Sequence, residues 1–250
     1  MKTTSVWLAA GAVLMLLAAS AVAQDEDDSV LWEWSSPSDI QVWAAYEHIL
    51  RPLDMDHARK ADRTLKGNLG AAGIEWSPLG WFSLGAFAGA AEARIDEYMA
   101  ECGSLGAGGG LSLGANFWQI SAEHHRSAWD VTIRAETRAS YWQSGDDGEG
   151  SVEWFEGFGA LPVRYRLRLT SGIRSIAPQD FHSLAIWAGP AVSVLDGEWE
   201  RSGMKESFTE ADTFGVAGGA DMWLIDSLKI SGRIEWFGDA GFWVGCTYAF

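Results

Sequence analysis

Trp129-Asp-Val-Thr-Ile-Arg-Ala-Glu-Thr-Arg-Ala-Ser-Tyr-Trp142 alternates in character without a break. In an extended chain Trp129, Val131, Ile133, Ala135, Thr137, Ala139 and Tyr141 share one face. Asp130, Thr132, Arg134, Glu136, Arg138, Ser140 and Trp142 share the other, because successive side chains of a strand point to opposite sides. A helix would scatter both sets around its circumference. The period recurs where Val163, Tyr165, Leu167 and Leu169 alternate with Arg164, Arg166 and Arg168. It recurs again where Leu228, Ile230, Ile234 and Trp236 alternate with Lys229, Ser231, Arg233 and Glu235.

Outward from these stretches, ten segments read as strands: roughly 38–49, 63–76, 81–95, 108–122, 128–142, 153–170, 182–195, 212–224, 228–236 and 241–250. In 108–122, Leu111, Leu113, Ala115 and Phe117 oppose Ser112, Gly114, Asn116 and Trp118. Short connections (77–80, 124–127, 225–227) alternate with longer polar ones (51–62, 96–107, 143–152, 196–211), the rhythm of a barrel with short turns on one side and loops on the other. The stretch 171–181 is long where a short turn belongs. With 29 Gly and 15 Trp, the composition favours sheet over helix bundle. The length suits one domain.

Alternation leaves open which face is inside, since a soluble barrel would turn its charges out. Three features favour apolar-out. Most segments have the roughly 9–11 residues that cross a bilayer as tilted strands. Tryptophans gather at strand ends: Trp76 and Trp81, Trp118 and Trp129, Trp236 and Trp243 bracket connections like aromatic girdles. The third feature is Gly241-Phe-Trp-Val-Gly-Cys-Thr-Tyr-Ala-Phe250, where Phe242, Val244, Cys246, Tyr248 and Phe250 make one apolar stripe ending on an aromatic residue.

This stripe resembles the C-terminal signature of the small bacterial outer-membrane β-barrel superfamily, which includes the OmpA-like, OmpW-like and opacity-type barrels. The resemblance implies that Phe242, Val244, Cys246, Tyr248 and Phe250 form an assembly signal read by the barrel-assembly machinery. It is specific over about the last forty residues and departs from the eight-stranded members by two extra segments. A closing strand must present such a stripe and pair with the first, leaving no open edge in hydrocarbon.

At the other end, Met1-Lys2, the apolar run Val6 to Leu17 and Ala21-Val22-Ala23 read as a signal peptide over 1–23, cleaved after Ala23. Residues 24–37 read as an acidic periplasmic leader and 38–250 as the barrel. No later apolar run of about 18 residues offers a helical span. Formal charge is −16, becoming −17 once Lys2 leaves with the signal, a balance unsuited to nucleic acid. Cys102 and Cys246 fall at opposite ends of the barrel, too far apart for a disulfide.

Several apparent motifs dissolve on inspection. Gly110-Leu-Ser112-Leu-Gly114 matches a nucleophile elbow but lies inside an alternating strand rather than a strand-to-helix turn. Ser202-Gly-Met-Lys205 lacks its companion motifs. His124 and His125 point to opposite faces of a strand. Asp146-Asp147-Gly148-Glu149 lacks calcium-loop spacing and reads as a hairpin tip. His182 beside Ser183 has no motif around it. The expectation is therefore no enzyme, no metal and no cofactor.

The remaining constellation is a charged ladder: Asp130, Arg134, Glu136, Arg138, Arg164, Arg166, Arg168, Lys229, Arg233 and Glu235. An Arg facing lipid near the midplane costs roughly 2–4 kcal/mol, so these residues are expected inside as a lumen network. Ten strands leave an interior that long side chains can largely fill. Register around the 143–152 loop places Asp130 near Arg164 or Arg166. The reading is an all-β, antiparallel, up-and-down transmembrane barrel, ten strands favoured over eight or twelve. It is a monomer in outer-membrane lipid, delivered by the export and assembly machinery, with a structural or surface role and a plugged polar lumen. A narrow porin-like channel and a soluble lipocalin-like periplasmic carrier are the alternatives.

Overall fold

The structure, a computed structural model, describes residues 39–55, 63–95, 104–124, 127–145, 150–169, 183–201, 203–225 and 227–250. The expected signal peptide, acidic leader, 171–181 stretch, Cys102, His125, Asp146 to Glu149, His182 and Ser202 lie outside them.

Twelve antiparallel segments follow in chain order: β1 (Asp39–Met55), β2 (Arg63–Leu79), β3 (Phe82–Ile95), β4 (Gly106–His124), β5 (Ser127–Gln143), β6 (Ser151–Ala160), β7 (Val163–Leu169), β8 (Ser183–Arg201), β9 (Met204–Glu210), β10 (Phe214–Ile225), β11 (Leu228–Phe237) and β12 (Asp239–Ala249). Two pairs are each one continuous strand. β6 and β7 keep the same partners without a register shift, from Ala160↔Ala191 to Val163↔Ala188. They are parted only by Leu161 and by Pro162, which has no N–H to give the ladder. β9 and β10 both pair with β8, with one extra residue between Asp196↔Thr209 and Val192↔Phe214, a β-bulge. The result is the expected ten-stranded closed barrel, sealed by β1–β12 pairing from Gln41↔Ala249 to His48↔Phe242.

The barrel is not uniform along its axis. At the end holding Asp39 and Ala249, ten strands surround the lumen. At the other end β11 and β12 stop at a tight turn on Gly238, whose φ of +79° suits glycine. β9 passes over that turn and pairs directly with β1 through Leu53↔Glu210, Asp54↔Thr209 and Met55↔Phe208. The ring there comprises β1, β2, β3, β4, β5, β6, β8 and β9, eight strands in all. We call this narrower portion the neck, its outer end the loop end, and the opposite end the turn end.

Polarity reverses where the barrel narrows. Below the neck, Val42, Tyr46, Ile74, Ile186, Ile234 and Val244 face outward and exposed, forming an apolar belt. In the neck the outward positions are Asp54, Asn68, Glu92, Arg94, Asp196 and Glu198. Its interior instead holds an apolar cluster that includes Ile49, Leu65, Trp142, Trp154, Trp199 and Phe208. β2 carries both patterns in one strand: Ile74 and Trp76 face out near one end, whereas Leu65 and Leu69 are buried near the other. Burial of large side chains at roughly 25 cal/mol per Å² of apolar area stabilises the neck as it would a water-soluble core.

The structure corrects four expectations. β1 does not end near residue 49 but continues to Met55, because Ile49, Leu53 and Met55 bury into the neck. The supposed loop 196–211 is the β8–β9 hairpin, closed by pairs from Asp196↔Thr209 to Arg201↔Met204. The strict alternation of 108–122 fails at Phe117, where a bulge between Asn116↔Arg134 and Trp118↔Ile133 shifts Trp118 and Ile120 onto the outward face. Finally, Trp243 does not join a girdle but lines the lumen, whereas Trp76, Trp118 and Trp236 do face outward. The soluble-carrier arrangement, charges out around an apolar cavity, is the reverse of what the barrel adopts below the neck.

Candidate functional site: the charged lumen

Beneath the neck core lies a cross-lumen layer of ion pairs. Arg51, fully buried, projects from β1 and places Nη2 2.6 Å from Glu235 Oε2 and 3.4 Å from Glu156 Oε1. Its Nε lies 3.2 Å from Glu210 Oε1, an ion pair not aligned as a hydrogen bond. The guanidinium also sits 4.5 Å over the Phe237 ring. Arg138 donates from Nη1 and Nη2 to the two Glu47 oxygens at 3.0 Å each, a two-pronged fork, and reaches Glu156 at 3.3 Å. Arg233 pairs with Glu235 at 2.9 Å and Glu47 at 3.7 Å. The layer thus ties β1, β5, β6, β9 and β11 across the interior. Charges removed from water need such mutual pairing to be tolerable.

From this layer a cavity of about 570 Å³ runs to the turn end. Glu47, Arg138 and Phe158 lie toward its inner end, and Asp39, Gly80 and Ser227 line its rim. Two walls carry further charge. On one, Arg134 donates to Ser83 Oγ at 2.9 Å, Asn116 Oδ1 at 3.2 Å and Glu136 at 3.1 Å. On the other, the β8 residues Ser183 and Ala185 are small, so the β7 arginines extend over them. Arg164 reaches Asp221 at 2.8 Å, and Arg166 donates to Ser183 Oγ and lies 4.1 Å over the Trp223 ring. Arg168 pairs with Asp130 at 3.4 Å.

All ten ladder residues therefore face inward, but they do not form one network. Arg138, Arg233 and Glu235 join the cross-lumen layer; Arg134, Glu136, Arg164, Arg166 and Lys229 line the cavity, and the Arg168–Asp130 pair stands apart from its lining. Asp130 does oppose Arg166 in register, yet its ion pair is with Arg168, two residues along the strand on the same face. Sequence reasoning missed Glu47, Arg51, Glu75, Glu156, Glu210 and Asp221. Each has inward parity, and that was the available signal; Arg51 was hidden by Pro52 and Glu156 by the glycines around it.

Of the five discounted motifs, the Gly110 to Gly114 run alone lies wholly within the described residues. Ser112 sits within β4 opposite Arg138. Cys246 is exposed on the outward stripe with Phe242, Val244, Tyr248 and Phe250. On the outside of the neck, the Lys205 ammonium is held above the ordinary lysine range by its contact with Glu200 and by nearby Glu198.

No family model matches the chain, and no curated protein matches it. Solved structures that resemble it are outer-membrane β-barrels. An outer membrane channel from Pseudomonas putida F1 shares 10% identity at a TM-score of 0.38, covering 90% of this chain and 100% of that one. The translocator domain of the autotransporter NalP from Neisseria meningitidis shares 11% at 0.32, covering 99% and 98%. Ail, the attachment invasion locus protein of Yersinia pestis, shares 8% at 0.27, covering 86% and 100%. At these identities and scores the likeness assigns no role to this chain.

Proposed function

We propose that this chain is an integral outer-membrane protein with a structural or surface-interaction role, its lumen closed by the Arg51 layer and the neck core above it. The apolar belt would lie in hydrocarbon, the turn end would face the periplasm and the neck would stand in water outside. The observation that carries the reading is Arg51, fully buried among Glu156, Glu210 and Glu235, with Trp154, Leu65 and Phe208 also buried in the neck cluster. Ions crossing the barrel would have to displace both. A monomer without cofactor or catalytic activity completes the proposal.

Reconstitution in planar bilayers tests it. The protein should fractionate with the outer membrane, migrate differently on gels before and after heating, and give no sustained conductance. Steady ohmic current from the folded protein would replace the reading with a narrow channel, which the 570 Å³ cavity favours as the second choice.

A further inference from the structure

Among the described residues, eight cations line the lumen or the layer above it: Arg51, Arg134, Arg138, Arg164, Arg166, Arg168, Lys229 and Arg233. Six have a carboxylate within 4.0 Å. Among the described residues Arg166 and Lys229 have none. They are neighbours. Lys229 is the direct cross-strand partner of Trp223, and the two cationic heads lie 5.8 and 4.1 Å from that one ring. Both line the cavity, as do Trp187 and Ser231, whose Nε1 and Oγ are buried without a hydrogen-bond partner.

We propose that this wall, formed by β7, β10 and β11, binds a small dianionic oxyanion between Arg166 and Lys229. Arg166 spends Nε and one Nη2 hydrogen on Ser183, which leaves Nη1 free to donate. Lys229 brings an ammonium with three donors. Arg164, Arg166, Arg168 and Lys229 against Asp130 and Asp221 leave the wall two positive charges in excess, which a dianion neutralises. The Trp223 ring contacts both heads and limits the rotamer freedom that binding would otherwise remove. A cleft with low-dielectric walls focuses this field, so the site gathers anions from the open end. Phosphate groups and dicarboxylates share the required chemistry. Entry from the turn end rests on the closed-lumen reading; the site itself does not.

Titration calorimetry on the refolded full chain in detergent tests the site, with inorganic phosphate and succinate as probes and acetate as the monoanion control. Saturable heat is expected with at least one dianion and not with acetate. Saturation by phosphate alone supports a tetrahedral oxyanion, and by succinate also supports the broader class. Lys229→Gln and Arg166→Gln should each weaken binding about tenfold, the weight of one charge-assisted hydrogen bond. Lys229→Arg should retain it, and Lys205→Gln, on the exposed neck, should leave it unchanged. Heat-modifiable migration confirms that each variant is folded. Absence of saturable heat with both dianions, acetate binding as tightly as they do, or wild-type affinity in both glutamine variants overturns the proposal. Conductance in bilayers would overturn the closed lumen without touching this result.

Discussion

Arg51 Nη2 and Glu235 Oε2 lie 2.6 Å apart, although 184 residues separate them in the chain. One belongs to the first strand and the other to the penultimate one, so this contact forms only once the barrel has closed. Glu235→Ala would strand a guanidinium that keeps only Glu156 and Glu210. Loss of a buried partner costs about 3–5 kcal/mol. The urea midpoint, followed by the heat-modifiable gel shift, should fall accordingly, and Arg51→Met should lower it as well, because it strands the buried Glu210 and leaves Glu156 and Glu235 one arginine short. An unchanged midpoint for Glu235→Ala would show that water reaches the layer.

Asp130→Ala should also lower the midpoint, but less. Its partner Arg168 is 39% exposed, so solvent screens the charge left behind. A loss of about 1–3 kcal/mol is the expected scale for leaving a partly shielded charged group without its partner. An effect equal to that of Glu235→Ala would mean that this part of the lumen is as dry as the Arg51 layer.

Gly238 makes the turn that lets β9 cross to β1. Its φ is +79°, and a Cβ there would approach Pro52 Cγ to 2.9 Å as well as crowding Asp212. Gly238→Val should cost about 1–3 kcal/mol from backbone strain alone. Added protease cutting near the β8–β9 hairpin, detected by mass spectrometry, would mark the loosened seam. Wild-type resistance in this variant would argue that the β1–β9 pairing does not depend on the turn.

Phe250 donates its backbone N–H to Ile40 O at 3.0 Å, and its ring meets Tyr248 edge-on. Phe250→Asp should reduce the amount assembled in the membrane while synthesis continues, measured by immunoblot of membrane and total fractions. Normal membrane levels would argue that the C-terminal resemblance is accidental.

Trp154 sits in the middle of the neck and is 1% exposed. Trp154→Ala should cost about 3–5 kcal/mol, the penalty of an unfilled site in a packed core. A far smaller loss in the urea midpoint would mean that the neck collapses around the gap.

The ten strands were legible because one face of each segment is apolar over enough residues to register as period two. The inward placement of Arg164, Arg166 and Arg168 was legible for an energetic reason, since hydrocarbon rejects them. What escaped notice was the reversal along β1 and β2. Asp54 looks like a loop residue if outward positions are assumed to be apolar, so β1 seemed to stop before it, whereas Lys66 already stood inside the expected 63–76 segment. Phe117 escaped for a different reason: a bulge exchanges the two faces without altering composition. The pairing of Arg51 with Glu210, as distinct from the inward parity of each, escaped because it depends on β9 crossing over Gly238, a contact between segments far apart in sequence.

The reversal of polarity acts as a depth gauge. Placed in a bilayer, the molecule cannot sink by two residues along its strands without drawing Lys66, Glu92, Glu153 and Asp196 below the waterline together. At roughly 2.5–3.5 kcal/mol for each charge carried to the centre, and less near the surface, such a slide still costs several kcal/mol. Rising by the same distance would expose apolar belt to water at the turn end. The chain therefore encodes its own draught, the level at which it floats, in the residues where Tyr46 gives way to Asp54.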